Sequence, residues 1–270
     1  MMQRMDGAVP YYIFSNLAEW PGVWHAIFTR RGGVSQPPLD SLNIGNSVGD
    51  SETAVRENHA RIYTTLGLRP EDVVTAQQVH GARVAVVSRA DGGRVIPATD
   101  GLVSDTPGIA LLLRFADCVP ILLFDPVRRA VGLVHSGWRG TIEGIVTKAV
   151  HVMEQAFGTN PADLQVALGP AIGPCCYEVG EDVAGAVRRS LRGEALLHSS
   201  ASGRWYFDLP EANRQQLLAV GVRHVEQANM CTVCHRHEFF SHRGDGVRTG
   251  RFGALIGLTT DASTEKEAAL

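Results

Sequence analysis

Apolar residues follow the chain in two kinds of pattern. Short uninterrupted runs, typical of buried strands, occupy 83–88, 108–113, 119–124, 130–135, 164–168 and 254–258. Apolar residues spaced three or four positions apart, typical of helices that bury one face, occupy 51–66, 141–157, 182–191 and 209–220. Because strands and helices are mixed throughout, the pattern predicts a single α+β or mixed α/β domain over residues 1–258. Residues 259–270 are polar and acidic and predict a frayed tail.

Turn-forming residues set several of the predicted boundaries. Ser51 can cap the first helix and Gly67 can end it. Gly158 ends the helix at 141–157 in the same way, and residues 137–140 predict the turn before it. A polar loop is expected at 198–204.

The composition limits the class of protein. The chain has 270 residues, of which 44% are hydrophobic and 20% charged, so it can bury a sizeable core. A net charge of −3 and the lack of a basic run argue against a nucleic-acid partner. No run approaches the ~18 apolar residues of a membrane helix, and the N-terminus is a poor secretory signal. We therefore expect a cytoplasmic protein with no membrane partner.

Two segments with candidate chemistry are open to ordinary structural explanations. His80 lies in Gln77–Gly81, at a tight turn before a strand, where a histidine bonded only to backbone is the commoner case. Cys118 follows Asp117 between two apolar runs, where a buried structural thiol and a functional thiolate are equally favoured. Asp117 itself needs a partner if the site is dry.

The segment from His135 to Thr141 has stronger functional features. A strand ends in His135, a glycine-rich turn follows, and a helix begins. The N–H groups at the helix start, near Gly140, and the guanidinium of Arg139 suit an anion such as phosphate.

Taken together, His80, Cys118 and His135 offer two imidazoles and a thiolate. This donor set suits Zn²⁺, and three protein ligands would leave one coordination position open, as in catalytic sites. Cu²⁺ is a less favoured occupant.

The other four cysteines allow several interpretations. Cys231 and Cys234 form a C-x-x-C-H pattern with His235, which fits c-type haem attachment or half of a zinc site. Haem attachment conflicts with the poor signal sequence, and no second C-x-x-C completes a zinc ribbon. We expect a structural role for this segment. Cys175 and Cys176 follow a Gly/Pro loop and can pack or face a ligand.

Ten short motifs in order resemble the laccase-domain family, once called multicopper polyphenol oxidoreductases and now described as purine nucleoside phosphorylases. They are TRRGGVS at 29–35, SLNIG at 41–45, QVHG at 78–81, ADCVP at 116–120, HSGWRG at 135–140, GPAIG at 169–173, FDL at 207–209, CT at 231–232, FSHR at 240–243 and TGR at 249–251. The resemblance covers about residues 20–258. This chain departs from the family pattern at His59, Ser136 and Gly244.

The resemblance implies a β-sheet core with helices packed outside and a zinc site at His80, Cys118 and His135. It also implies phosphorolysis of inosine, adenosine and S-methyl-5′-thioadenosine, with adenosine deaminase activity. The implied partners are purine nucleosides and phosphate, and the chain is expected to be a monomer or homodimer.

Roles for further residues follow from this expected reaction. Arg139 is predicted to position phosphate, and Asp117, with Glu178 as the second candidate, to transfer a proton. The remaining predicted substrate-binding residues are Arg30, Asn43, Gly140, Cys176 and Arg251.

Two other enzyme classes remain open. One is a metal-free hydrolase with Cys118 as nucleophile and His135 as base. The other is a copper polyphenol oxidase, although the ten histidines include only one H-x-H pair, His235 and His237. A non-enzymatic binding role is the least favoured.

Overall fold

The computed structural model describes residues 2–191 and 194–260. In chain order the strands are β1 (Met2–Met5), β2 (Tyr11–Phe14), β3 (Val23–Phe28), β4 (Val73–Ala76), β5 (Val84–Val86), β6 (Val95–Ile96), β7 (Gly101–Ser104), β8 (Ala110–Phe115), β9 (Val119–Asp125), β10 (Ala130–Ser136), β11 (Gln165–Leu168), β12 (Glu178–Val179), β13 (Leu197–Ser199), β14 (Trp205–Phe207), β15 (His224–Gln227) and β16 (Phe252–Leu258). The helices are α1 (Ser15–Ala18), α2 (Glu52–Thr65), α3 (Trp138–Ile142), α4 (Ile145–Phe157), α5 (Glu181–Leu191), α6 (Leu209–Ala219) and α7 (His242–Asp245).

Within these residues the strands form three sheets. One has the order β1, β2, β3, β16, β8, β4, β6, and the second has the order β15, β11, β9, β10, β7, β5. The third is small and has the order β12, β14, β13. Most pairs in the large sheets are antiparallel, but β4 pairs in parallel with β6 and β8, β5 with β7, and β11 with β15.

The two large sheets pack face to face, because alternate residues of a strand point to opposite faces. Leu111 and Leu113 of β8 contribute to the core between the sheets, together with Leu122 of β9. Leu112 of β8 belongs instead to an outer cluster with Ile62 of α2. On the far side of the second sheet, α4, α5 and α6 cover the outward-facing side chains of β9 and β10. The predicted β-sheet core with helices outside is therefore confirmed.

The apolar runs predicted the central strands well because those strands are buried on both faces. β8, β9, β10, β11 and β16 all fall on predicted runs, and every residue of β9, β10 and β16 is buried. The capped helix is also confirmed, since the Ser51 side chain accepts a hydrogen bond from the N–H of Ala54.

The prediction of one helix over 141–157, preceded by a turn at 137–140, is wrong. The chain is already helical from Trp138, and α3 ends at Ile142 before α4 begins at Ile145. Gly144 separates the two helices with a left-handed φ of 71°, a conformation that glycine adopts without steric cost. The apolar spacing continues through this break, so it could not reveal the interruption.

The predicted loop at 198–204 is also partly wrong. Residues up to Ser199 belong to β13, which pairs with β14, so the turn is limited to the residues between these strands. Polar edge strands of this kind lack the apolar run used to find the others. Among the residues described, no helix is both long and apolar enough to cross a membrane. Residues 261–270 of the predicted tail lie outside the described residues.

Candidate functional site

The structure brings His80, Cys118 and His135 together from three distant segments. Their ligand atoms, a nitrogen from each histidine and the cysteine Sγ, all lie within 4.8 Å of one another. His135 is buried, Cys118 half-buried and His80 exposed. The trio therefore forms a cluster that opens to the surface on the side of His80.

Strand pairing explains how Cys118 meets His135. β9 and β10 are antiparallel, with His135 opposite Pro120 and Ser136 opposite Val119. Cys118 immediately precedes β9, so this register places it beside the end of β10. Neighbouring strands lie about 4.8 Å apart, so this pairing brings Cys118 and His135 within a similar distance of each other.

His80 is held by a buried carboxylate. The backbone N–H groups of Val79, His80 and Gly81 donate to the two oxygens of Asp100 at 2.9 to 3.1 Å. His80 adopts a left-handed φ of 60°, which lets these successive N–H groups converge on one anion. Asp100 thereby fixes the predicted tight turn beside the strand that carries His135.

The same carboxylate orients His135. Oδ1 of Asp100 lies 2.8 Å from Nδ1 of His135, and the Asp100 side chain is fully buried. With Nδ1 engaged, Nε2 is the nitrogen left to face Cys118 and a metal. The sequence interpretation missed Asp100, and its signal was an acidic residue directly before the buried run of β7.

Gly137 leaves the space in which the trio meets. A Cβ atom added there would lie 3.0 Å from Sγ of Cys118 and 3.3 Å from Cδ2 of His80. Gly140 has a related role, because an added Cβ would lie 2.8 Å from the carbonyl oxygen of Gly81. The two glycines let α3 approach the turn that carries His80 closely.

Cys118 and His135 shift each other's pKa in opposite directions. Burial would raise the pKa of Cys118, but His135 and His80 lower it to about 6. Burial would lower the pKa of His135, but Cys118 and Asp100 raise it to about 9. These opposite shifts favour a thiolate beside a protonated imidazole, so a metal that binds both groups would release the His135 proton.

The trio lines one part of a pocket of about 780 Å³. That volume is within the range of small-molecule sites, which is roughly 300–1,000 Å³. Four arginines also line it, and they are Arg114, Arg139, Arg243 and Arg251.

In the described part of the chain, the guanidinium groups of the pocket form no ion pair with a carboxylate. Among the ion pairs of residues 2–191 and 194–260, none involves any of these four arginines. Burial and the positive charge of Arg251 lower the pKa of Arg114. The four guanidinium groups, two of them half-buried, outnumber the acidic groups Asp117 and Cys118 in the same lining, which favours an anion-binding site.

Arg114 was missed as a site residue. It is the charged residue within the otherwise apolar β8, and its guanidinium donates to the carbonyl oxygen of Ala76 at 2.5 Å. Gln78 fixes the same strand end, because its amide exchanges hydrogen bonds with the backbone of Arg114. A lone charge inside a strand-like run was the signal for this residue.

Asn43 holds the backbone of Arg251 in place but does not itself line the pocket. It is completely buried, and its Oδ1 accepts hydrogen bonds from the N–H groups of Gly45 and Arg251, both at 2.9 Å. The Arg251 guanidinium then donates to the carbonyl oxygens of Thr249 and Gly250. Of this group, Arg251 and Gly45 line the pocket.

The other predicted substrate-binding residues lie outside the pocket lining. Arg30 donates to the carbonyl oxygens of Asp40 and Arg236 and joins two loops. Gly140 is buried within α3. Cys176 belongs to a separate cluster of four cysteines. By contrast, the predicted Arg139 does line the pocket, with its guanidinium 4.5 Å from the Trp138 ring.

Asp117 lies at the pocket with its carboxylate already engaged. Thr232 and Ser241 donate hydroxyl hydrogens to Oδ1, and the N–H of Arg243 donates to Oδ2, each at 2.6 Å. An ionised carboxylate has about four acceptor positions, so one is left for a ligand. Asp117 therefore anchors the segment that carries His242 and Arg243.

The departures from the family pattern lie away from the pocket lining. The Ser136 hydroxyl is buried, donates to Oδ1 of Asn213 and contacts Oγ1 of Thr141. His59 lies between Tyr63 and the carbonyl oxygen of Ile44. At Gly244, an added Cβ would lie 2.7 Å from Cδ of Arg236, so that space is occupied.

Comparison with known proteins agrees with this architecture. The family model described as multi-copper polyphenol oxidoreductase laccase matches residues 24–259. The chain belongs to this family.

Similar proteins extend over nearly the whole chain. A protein of Geobacillus stearothermophilus named purine nucleoside phosphorylase YlmD is 42% identical, over 87% of this chain and 90% of that protein. A protein of Bacteroides thetaiotaomicron named purine nucleoside phosphorylase is 33% identical, over 88% and 92% of the two chains. The crystal structure of YlmD from G. stearothermophilus superposes with a TM-score of 0.90 at 38% identity, covering 96% of this chain and 99% of that one. A crystal structure of the Bacillus licheniformis protein YfiH has a TM-score of 0.90 at 36% identity, with the same coverage.

Proposed function

We propose that this chain is a purine nucleoside phosphorylase that uses a zinc ion held by His80, Cys118 and His135. The observation that carries the proposal is the meeting of this trio with four arginines in one pocket. The names of the relatives support the same reaction class. Phosphorolysis of a nucleoside requires an anion site beside a site for the sugar and base, and the pocket offers both kinds of lining.

The trio fits a zinc ion on three grounds. Imidazole nitrogen and cysteine thiolate are both ligands that zinc binds well. Asp100 holds His135 by Nδ1, as partners of metal-bound histidines do. Gly137 leaves room beside Cys118 and His80. When bound, a zinc ion with an open position supplies Lewis-acid chemistry.

Phosphate is proposed to lie among the pocket arginines. Arg114 and Arg251 are held by hydrogen bonds to backbone carbonyl oxygens, so little side-chain freedom is lost when they bind an anion. Arg139 and Arg243 are more exposed and line the same pocket. The arginines position a phosphate oxygen for attack on the sugar C1′ and neutralise charge as the base leaves.

The nucleoside is proposed to contact the less polar part of the lining. Trp138, Ile172, Tyr177 and Leu209 provide aromatic and aliphatic surface for a planar base and a sugar. Asp117 stays our proposed proton-transfer residue through its remaining acceptor position. Its three hydrogen bonds support an anchoring role at least as strongly.

Product analysis tests the proposed reaction. Zinc-loaded protein is incubated with inosine, adenosine or S-methyl-5′-thioadenosine, with and without phosphate, and the products are separated by chromatography. We expect free base and ribose 1-phosphate (or its methylthio analogue) to form only with phosphate. A rate with phosphate no greater than that of a His80→Ala control would refute the proposal.

The same experiment separates the proposed deaminase activity. Deamination converts adenosine to inosine with water as the second reactant, so it should proceed without phosphate. Phosphorolysis of adenosine instead yields adenine. If zinc-loaded protein forms no inosine from adenosine, the proposed deaminase activity is refuted. The phosphorylase proposal is not affected by this result.

A second candidate is a metal-free cysteine hydrolase. Cys118, His135 and Asp100 have the relation of nucleophile, base and orienting carboxylate. His80 argues against it, because such a triad needs no second imidazole at the sulfur. A metal-free protein that hydrolyses a substrate, and loses this activity when Cys118 is alkylated, would favour the hydrolase. Stoichiometric zinc that is lost in Cys118→Ala would favour the metal site.

A further inference from the structure

Four cysteines form a second cluster away from the pocket lining. Cys175 and Cys176 precede β12, whereas Cys231 and Cys234 follow β15. Their four Sγ atoms all lie within 4.8 Å of one another, and none of the four residues lines the pocket. All four are free thiols in the structure.

Two of the six sulfur–sulfur separations match the edge of a tetrahedron around one metal ion, and all six lie within 4.8 Å. Sγ of Cys234 lies 3.7 Å from Sγ of Cys175 and 3.6 Å from Sγ of Cys176. A zinc ion with Zn–S bonds of about 2.3 Å sets tetrahedral sulfur–sulfur edges of about 3.8 Å. A disulfide would require a separation of about 2.05 Å. The observed spacing therefore suits a shared ion rather than a covalent bond.

Backbone N–H groups stabilise negative charge on the sulfur of Cys231. The N–H of Gly173 donates to Sγ of Cys231 at 3.3 Å, and the N–H groups of Val233 and Cys234 face the same atom. Hydrogen bonds of this kind commonly support metal-bound thiolates.

Backbone hydrogen bonds already join the two loops beside the sulfurs. The N–H of Thr232 donates to the carbonyl oxygen of Ala171 at 3.1 Å, and the N–H of Ala171 donates to Met230 at 3.2 Å. The sulfurs are thus brought together by a paired backbone, and they do not depend on flexible side chains reaching across a gap. The cost of ordering the ligands is correspondingly reduced.

We propose that Cys175, Cys176, Cys231 and Cys234 bind one structural zinc ion, separate from the site of His80, Cys118 and His135. Four thiolates complete the tetrahedral coordination of zinc and leave no position for a substrate. The trio at the pocket has three ligands and an open side. The two clusters therefore differ in the way that structural and catalytic zinc sites differ.

The proposed ion joins two segments of the pocket wall. Tyr177 follows Cys176 directly, and Arg243 follows the Cys231–Cys234 segment in sequence. The Arg243 guanidinium lies 5.3 Å from the Tyr177 ring and donates to the carbonyl oxygen of Glu178 at 2.8 Å. An ion at the cluster would stabilise this contact by fixing both segments to one point.

Zinc content in matched cysteine variants tests the proposal. Cys118→Ser removes a ligand of the pocket trio and leaves the cluster intact. We expect this variant to retain about one zinc ion per chain, as structural thiolate sites bind zinc tightly. Adding Cys176→Ser and Cys234→Ser should remove that ion, whereas adding Ser202→Ala, on the turn between β13 and β14, should not.

The result is independent of the proposed function. If the pocket trio binds no zinc, wild type and Cys118→Ser should carry the same single ion. If both sites bind zinc, wild type should carry about one ion more than Cys118→Ser.

X-ray absorption at the zinc edge covers the case in which the triple variant does not fold. In the Cys118→Ser protein we expect a first shell of sulfur alone, at about 2.3 Å. Nitrogen or oxygen ligands in that shell, an absence of zinc, or iron in its place would overturn the proposal. So would disulfides among these four cysteines, identified by mass spectrometry of freshly purified protein.

Discussion

The buried carboxylate of Asp100 and the imidazole of His135 are joined by a hydrogen bond of 2.8 Å between Oδ1 and Nδ1. The same carboxylate accepts the N–H groups of the turn that carries His80. One anion therefore positions two of the three proposed metal ligands in the trio. This arrangement makes Asp100 the residue through which the geometry of the site can be altered without changing a ligand.

Asp100→Asn should weaken metal binding although every ligand remains. An amide presents N–H groups to donors that require an acceptor, so the turn and the imidazole both lose their fixed orientation. We expect roughly 10- to 100-fold weaker zinc affinity, as is typical for partners of metal-bound histidines. Competition with a chromophoric chelator measures the affinity. An unchanged affinity in a folded variant would contradict the role assigned to Asp100.

Gly137→Ala should crowd the trio without straining the backbone. Gly137 has φ −83° and ψ 175°, which alanine can adopt, but its Cβ would lie 3.0 Å from Sγ of Cys118. We expect reduced zinc content with a thermal midpoint close to that of wild type. Gly7→Ala is the matched control, because an added Cβ there contacts nothing within 4 Å. Equal zinc content in both variants would show that the space beside Gly137 is not needed.

Arg251→Gln should weaken the use of phosphate more than the use of nucleoside. Losing a hydrogen bond to a charged group costs about 1.5–3 kcal/mol, equivalent to roughly a 10- to 100-fold higher KM for phosphate. Arg94→Gln is the control, because Arg94 is 69% exposed and does not line the pocket. Steady-state rates measured against each substrate separate the two effects. A change confined to the nucleoside KM would place the phosphate elsewhere.

Asp117→Asn separates proton transfer from anchoring. If Asp117 transfers a proton, the substitution should lower kcat and remove one limb of its pH profile. If it only anchors the segment that carries Arg243, the variant should mainly raise the KM for phosphate and keep the shape of the profile. We expect the first result with a contribution from the second. An unchanged pH profile would remove the proton-transfer role.

Stability should fall in mild acid because of His25. This side chain is 5% exposed, and its Nε2 accepts the N–H of Phe14 at 2.7 Å. Burial lowers its pKa to about 4, below the unfolded value of about 6.5. The folded state therefore resists protonation, and stability that is complete above pH 6.5 is lost as the pH falls toward 4. The loss from this residue should reach about 3 kcal/mol.

Urea unfolding across that pH range measures the effect. His25→Gln should flatten the dependence, whereas the exposed His151→Gln should not. His59, whose pKa burial also lowers to about 4, should leave a residual slope in the His25 variant. Equal slopes in wild type and His25→Gln would contradict the assignment.

The sequence predicted the elements that have a local signal. Strands buried on both faces appear as apolar runs, and a capping serine with a following glycine bounds α2. The trio was also found from residue chemistry, because imidazole and thiolate are uncommon enough that their pairing limits the possible sites. Local signals failed at Gly144, where helical spacing continues through a break, and at polar edge strands such as β13.

Only the tertiary structure decided which polar residues meet. Asp100 lies 35 positions from His135, and Cys176 lies 58 positions from Cys234, so no spacing rule connects them. Sheet register and loop pairing fix these distances, and both depend on contacts between segments remote in the chain. The sequence therefore determined which types of side chain were available for the site. The fold decided the partner of His135, the position of Arg114 in the pocket and the grouping of the four cysteines.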